Sequence, residues 1–324
     1  LTACALGLEV SCRIAQTVQE VRHGAVWHMT GTVGPFGAAT AAGRLLGLNA
    51  DEMARAYGLA GTQASGLRET FGTMTKSFHP GRAAQSGILA AELAKRGFSS
   101  TDSILEGSHG FIAALAPGST DPAQAGEALK LHWELLNNAF KPYACGILAH
   151  AMVDAMLALR ARLGPVTERI VSVGGRVNPL AIKLEGNSHP KSGLASRLSF
   201  QHAMSVAFID GAAYPSQFTD ARACDPAVAR LREKIDMTGD AVIGQDACEL
   251  ILTLDDGSTH SEHVAHATGT LENPMTDAQI DAKFRATAQS VLPSGRVDEL
   301  LEMLARLEHL DNVGELMELC RIQL

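Results

Sequence analysis

Segment 68–82 (RETFGTMTKSFHPGR) holds the densest set of side chains able to bind or move charge: Arg68, Thr73, Thr75, Lys76, Ser77, His79 and Arg82. It runs into a strong helical pattern from Gly81, and a helix start presents unpaired N–H groups and the positive end of the helix dipole. That combination suits a carboxylate or a phosphate, with Gly72 and Gly81 letting the backbone approach a ligand. The same composition also fits a solvated loop between two helices. A nucleotide-binding P-loop is not present, because Gly72…Lys76-Ser77 lacks the second glycine before the lysine.

Two further clusters carry candidate groups. Segment 28–37 (HMTGTVGPFG) reads as a glycine-rich loop opening a small-residue helix; its glycines fit close helix packing, and His28 adds a group that titrates near neutrality. Segment 137–145 (NNAFKPYAC) sets Lys141 before Pro142 at a predicted first helical turn, where proline is favoured and the lysine would aim charge beside the helix start. On its own, Lys141 reads better as a surface cation. The triplet His260, His263, His266 suggests a metal, but residues three apart on a strand point to opposite faces. No cysteine or carboxylate pair completes a tetrahedral set. Ser65 in QASGL is not a nucleophile elbow, and no G-x-G-x-x-G follows a strand. Neither a metal nor another cofactor is expected.

The elements that must position these groups change in character along the chain. Apolar positions Cys4, Leu6, Leu8, Ile14, Val18 and Val21 predict one long buried helix. Segment 34–47 is Ala/Gly-rich, as in a helix packed tightly on its neighbours. Asn49 with Glu52 predicts a capping box for a helix to about Leu59, with Asp51 as the alternative cap. Further helices are predicted over 81–96 and 142–163. After Gly164-Pro165, β-branched alternation marks strands at 168–177 and 247–254, and Asp255-Asp256-Gly257 predicts a hairpin turn before 260–267. Helices are predicted over 199–210 and 226–235, and helical spacing returns from Thr276. The fold class is therefore mostly α with an α+β insert: helical over 1–165, mixed over 166–275, helical again over 276–324.

Composition narrows the function classes. The 324 residues are 46% hydrophobic and 19% charged, so the chain is not disordered. A net charge of −8 with 5% aromatics argues against nucleic acid, and any anionic ligand must be drawn by local positive charge. No apolar run reaches the roughly 20 residues that span a bilayer. Six scattered cysteines, without a C-x-x-C pair, suit reduced thiols in the cytoplasm. Segment 1–10 is apolar with no basic leader and no helix start signal, as in a chain entered partway through a domain.

Five ordered blocks resemble the MmgE/PrpD family, which includes 2-methylcitrate dehydratase, cis-aconitate decarboxylase and iminodisuccinate epimerase. They are HMTGTVGPFGAATAAGRLLGL (28–48), GTMTKSFHPGRAAQSGILAAELAKRGF (72–98), KPYACGILAHAMVDA (141–155), SRLSFQHAMSVAFIDG (196–211) and NPMTDAQIDAKF (273–284). The resemblance implies an all-helical domain built from both chain ends with an α+β lid. It also implies a homodimer, a cofactor-free site and a small di- or tricarboxylate substrate. Site residues would fall on His28, on Thr75, Lys76 and His79, and on Lys141, Tyr143 and His150. His202 stands where other members carry Tyr, a change of about 3.5 in reference pKa. Decarboxylase-type members carry a further histidine where this chain has Gly146; the resemblance also implies a helical front portion ahead of Leu1, expected from a longer chain or from a second polypeptide.

The chemistry expected is elimination of water from a hydroxy-tricarboxylate, of the 2-methylcitrate dehydratase type used in propionate metabolism. Lys76 and Lys141 would stabilise charge on the substrate, helped by Thr75 and the amides near Gly81, and Arg82, Tyr143 and His150 would bind substrate. His28 and His202 would transfer protons, with His79 supporting them or binding substrate. Epimerisation or decarboxylation of a related di- or tricarboxylate uses the same parts, and a carboxylate-binding subunit without turnover is the alternative outside catalysis.

Overall fold

The computed structural model describes residues 1–18, 26–115 and 132–322, and divides into two units, Leu1–Asn138 and Ala139–Leu324. The first unit is helical: α1 (Thr2–Thr17), α2 (Met29–Leu46), α3 (Ala50–Gly61), α4 (Thr75–Lys95) and the short α5 (Phe111–Leu115). Small residues let these helices meet backbone to backbone. A Cβ on Gly37 of α2 would lie 2.0 Å from Ser11 Oγ and 2.5 Å from the Gly7 carbonyl of α1. A Cβ on Gly87 of α4 would lie 2.4 Å from Ala38 Cβ and 2.5 Å from the Pro35 carbonyl of α2. The Ala/Gly-rich composition is therefore a packing surface on both faces of α2. Phe36 fills the core of this unit, edge-on to Tyr57 and Phe111 with centroids 6.0 and 4.9 Å away. α1 is anchored by the fully buried Glu9, which accepts from Arg13 Nε at 2.5 Å, Glu134 N at 3.1 Å and Leu135 N at 2.9 Å.

The predicted capping box is present. Asn49 Oδ1 accepts from Glu52 N and Glu52 Oε2 accepts from Asn49 N, both at 2.9 Å, so Asn49 and not Asp51 is the cap. Other boundaries are corrected. α2 starts at Met29 with His28 as its N-cap residue, so 28–37 is not a loop but the helix itself. α4 starts at Thr75, six residues before the predicted Gly81, with Pro80 inside it. The amides near Gly81 are thus in a helix interior and do not form an anion cradle. Val21, expected in the first helix, lies outside the described residues.

The second unit carries α6 (His150–Leu163), α7 (Pro179–Glu185), α8 (Phe200–Asp210), α9 (Pro226–Arg232), α10 (Asp277–Ala288), α11 (Ser294–Leu304) and α12 (Val313–Leu319). Its sheet has the order β2-β1-β3-β4, from β1 (Ile170–Val177), β2 (Ile235–Gly239), β3 (Cys248–Leu254) and β4 (Thr259–Val264). β1 pairs parallel with β2 and antiparallel with β3, and β3–β4 is the predicted hairpin. Alternate β3 residues Leu250 and Leu252 are buried in one core with Met152, Met156 and Leu159 of α6 and Met204 and Phe208 of α8. The parallel strand β2 was not expected: helix was predicted through Ile235, but α9 ends at Arg232 and Ile235 opens the strand. Helix predicted over 142–163 begins only at His150, after a single 3-10 turn at Ile147–Ala149. No helix among the described residues is long and apolar enough to cross a membrane.

The packing yields a paired prediction. Gly87→Ala forces a methyl group into backbone atoms and lowers unfolding free energy by about 1–3 kcal/mol. Gly81→Ala, with nothing within 4 Å of the new Cβ, raises it by about 0.5–1 kcal/mol through helix propensity. Urea unfolding of the two variants checks both signs.

Candidate active site

In the first unit the candidate groups gather around Phe71. His28 is tied to the 65–71 segment by its N–H to the Gly66 carbonyl at 2.9 Å, and its ring stands edge-on to Phe71 at 5.0 Å. Lys76 Nζ lies 4.9 Å and the Arg68 guanidinium carbon 5.2 Å from the centroid of the same Phe71 ring, both within cation–π range. His79 Nδ1 is 2.9 Å from His28 Nδ1. Burial, then the neighbouring His79, Lys76 and Arg68, pushes His28 down to about 4, so the ring is neutral at physiological pH. Thr75, His79 and Arg82 recur at i, i+4, i+7 on α4, which places them along one face, with Lys76 one turn before His79. Thr75 is exposed and gives its N–H to Thr73 Oγ1 at 3.2 Å, while Arg82 bonds Gln85 of its own helix at 2.8 Å. Phe71 escaped the sequence reading, because an aromatic between charged residues carries no motif.

In the second unit, Lys141 is exposed on a non-helical stretch fixed by hydrogen bonds on both sides. Phe140 N–H donates to the Gly269 carbonyl at 2.8 Å, Ala144 N–H to Ala213 at 2.9 Å and Gly146 N–H to Arg197 at 2.8 Å. The Tyr143 hydroxyl donates to Asp154 Oδ1, and the other carboxylate oxygen accepts from Thr268 N at 2.6 Å. Burial, then the Asp154 carboxylate, holds the Tyr143 phenol far above its ordinary range, and burial also raises Asp154. Asp154 was missed, although a lone carboxylate on the apolar face of α6 was a legible signal. His150 is buried and lines a cavity of about 110 Å³ with Phe140, Leu148, Asp246, Thr268 and Gly269. Its Nε2 has no hydrogen-bond partner among the described residues, and burial, then Lys141, lowers it to about 4.

Gly146 has a steric reason. A Cβ there would lie 1.9 Å from Oε1 of the buried Glu185, which closes α7. No larger residue fits at 146 unless Glu185 moves.

His202 is fully buried with both ring nitrogens engaged. Nε2 donates to the Gln217 carbonyl at 2.8 Å, which leaves Nδ1 to accept from Arg232 Nη1 at 3.2 Å. Burial is the main cause that lowers it to about 4. The three spaced histidines do not converge: His260 pairs with Leu252 and His263 with Glu249 in the β3–β4 register, while His266 lies past the strand end. Among the described residues, one group brings possible metal ligands within 4.8 Å of each other: Asp246, His266 and Glu272, the last two exposed, with His266 Nδ1 already 2.8 Å from Asp246.

Two family models match in chain order: the MmgE/PrpD N-terminal domain over residues 1–124 and the MmgE/PrpD C-terminal domain over 143–309. The chain belongs to the MmgE/PrpD family. Among curated relatives of this MmgE/PrpD chain, the cis-aconitate decarboxylase of Aspergillus terreus is 30% identical over 315 residues, covering 90% of this chain and 64% of the relative. The cis-aconitate decarboxylases of Mus musculus and Homo sapiens are 28% and 27% identical, each over 99% of this chain and 68% of their own length. The chain thus spans about two thirds of the length of these relatives.

The buried histidines set a pH dependence. His150 and His202 titrate near 4 in the folded chain against an ordinary 6.5, so the unfolded state binds their protons first as pH falls. Their stabilisation is complete above about pH 6.5 and is lost on the way to pH 4, about 2 kcal/mol per ring by pH 5. Urea midpoints measured between about pH 7.5 and pH 5 fall accordingly, and His202→Gln, though less stable at neutral pH, shows a shallower slope.

Proposed function

We propose that this chain is an acid–base lyase for a small tricarboxylate, with release of CO2 from a substrate like cis-aconitate as its nearer reaction. The observation that carries this reading is the pair of cations, Lys76 and Arg68, set on one aromatic ring beside a neutral His28. When the carbon–carbon bond to the leaving carboxylate breaks, its electron pair moves into the unsaturated framework toward a remaining carboxylate. Fixed cations stabilise the charge that builds there, and a proton is then delivered to carbon. Lys76 and Lys141, with Thr75, take the stabilising part; Arg82, Tyr143 and His150 take substrate binding, and His28 carries the proton. His202, already bonded through both nitrogens, holds the Gln217 turn in place. The resemblance to the family supports a homodimer, and the scattered, unpaired cysteines support a cytoplasmic location.

Loss of water from a hydroxy-tricarboxylate is the second reading, favoured by Gly146. The decarboxylase-type histidine has no room there while Glu185 keeps its position. Supplying the purified chain with cis-aconitate and with a hydroxy-tricarboxylate separates the two: CO2 evolution supports decarboxylation, and an alkene product without CO2 supports dehydration. In either case Lys76→Met lowers kcat/KM by about 100-fold or more. Turnover within a few-fold of wild type in that variant contradicts the charge-stabilising part given to Lys76, and binding without any turnover contradicts the lyase.

A further inference from the structure

We infer that His28 and His79 form a two-imidazole relay, in which a proton gained or lost at His28 Nε2 is matched by transfer along the Nδ1···Nδ1 contact, so that positive charge comes to rest on His79. The inference rests on His28 as the proton carrier proposed above. Two bare imidazole lone pairs 2.9 Å apart repel, so one Nδ1 must hold a proton and donate it to the other. Each ring then has only Nε2 left for other partners. In the starting state His28 Nδ1–H donates to His79 Nδ1, and His79 carries its own proton on Nε2. When a proton reaches His28 Nε2, one N–H bond forms there, the His28 Nδ1–H bond breaks, and a new N–H bond forms at His79 Nδ1. His28 ends neutral and His79 cationic; returning the proton reverses each step.

The charged and titratable groups bearing on His28 are Lys76 of α4, Arg68 of the turn before Phe71, and His79 itself. A lasting imidazolium at His28 would face Lys76 and Arg68 across Phe71, and passing the charge on leaves His28 neutral between them; on His79 the charge faces Lys76 and Arg82, one turn before and after it on α4. His79 is buried against the backbone at Gly66, where φ is +131° and an added Cβ would lie 3.2 Å from His79 Nδ1. That close fit holds the ring in its orientation toward His28.

The test is ¹⁵N-histidine NMR of the full chain, followed from neutral pH down to about pH 4. The relay predicts a strongly deshielded N–H proton shared by the two Nδ1 atoms, and His79 becoming cationic while His28 stays neutral. His79→Asn keeps an amide near the Nδ1 position but cannot carry the proton. In it, His28 titrates at higher pH, and kcat on any tricarboxylate that is turned over falls about 100-fold with KM nearly unchanged. His28 charging before His79, an unmoved His28 titration in His79→Asn, or kcat within a few-fold of wild type overturns the relay. The wild-type spectra need no variant to fold and no turnover, so they judge the relay even where the lyase reading fails.

Discussion

A neutral imidazole kept beside two cations is the constraint on which the first unit's chemistry depends. His28 is placed by its own backbone bond to Gly66, by the Phe71 ring and by His79, and Lys76 and Arg68 share that aromatic ring with it. Charging His28 would add a third cation in a partly desolvated place, so the ring stays neutral. An arriving carboxylate would neutralise those cations and relax the constraint on His28. On the proposed function, binding and proton transfer would be coupled through these charges.

In the second unit the corresponding constraint is a rigid stretch of irregular backbone. Lys141 projects from a segment whose neighbours on either side are bonded to three other parts of the chain, and Asp154 ties Tyr143 and Thr268 together with its two oxygens. A lysine on such a segment loses less freedom when it meets a ligand than one on a mobile loop. Glu185 fills the space that a side chain at 146 would need, which fixes the shape of this stretch and gives Gly146 its reason.

Much of the architecture was legible. Asn49 with Glu52 fixed a helix start, the Ala/Gly run marked α2 as a packing helix, and Asp255-Asp256-Gly257 marked the hairpin. What was misread had tertiary causes. Pro80-Gly81 reads as a helix breaker, yet α4 runs through it because its later turns pack closely against α2. Pro142 reads as a first helical turn, yet long-range backbone bonds hold 140–146 in a non-helical path. The candidate residues themselves could be named from types and blocks, but the state of each could not. That His202 has no free nitrogen, that His79 faces His28, and that Phe71 gathers the cations are consequences of tertiary contact, for which residue spacing holds no signal.

Calorimetric titration of cis-aconitate into the chain and into Lys76→Met tests the central claim most directly. The account predicts binding that weakens as salt rises and that is about tenfold or more weaker in the variant, as expected for a lost charge-assisted contact. Equal affinity in the two proteins, independent of salt, would contradict it.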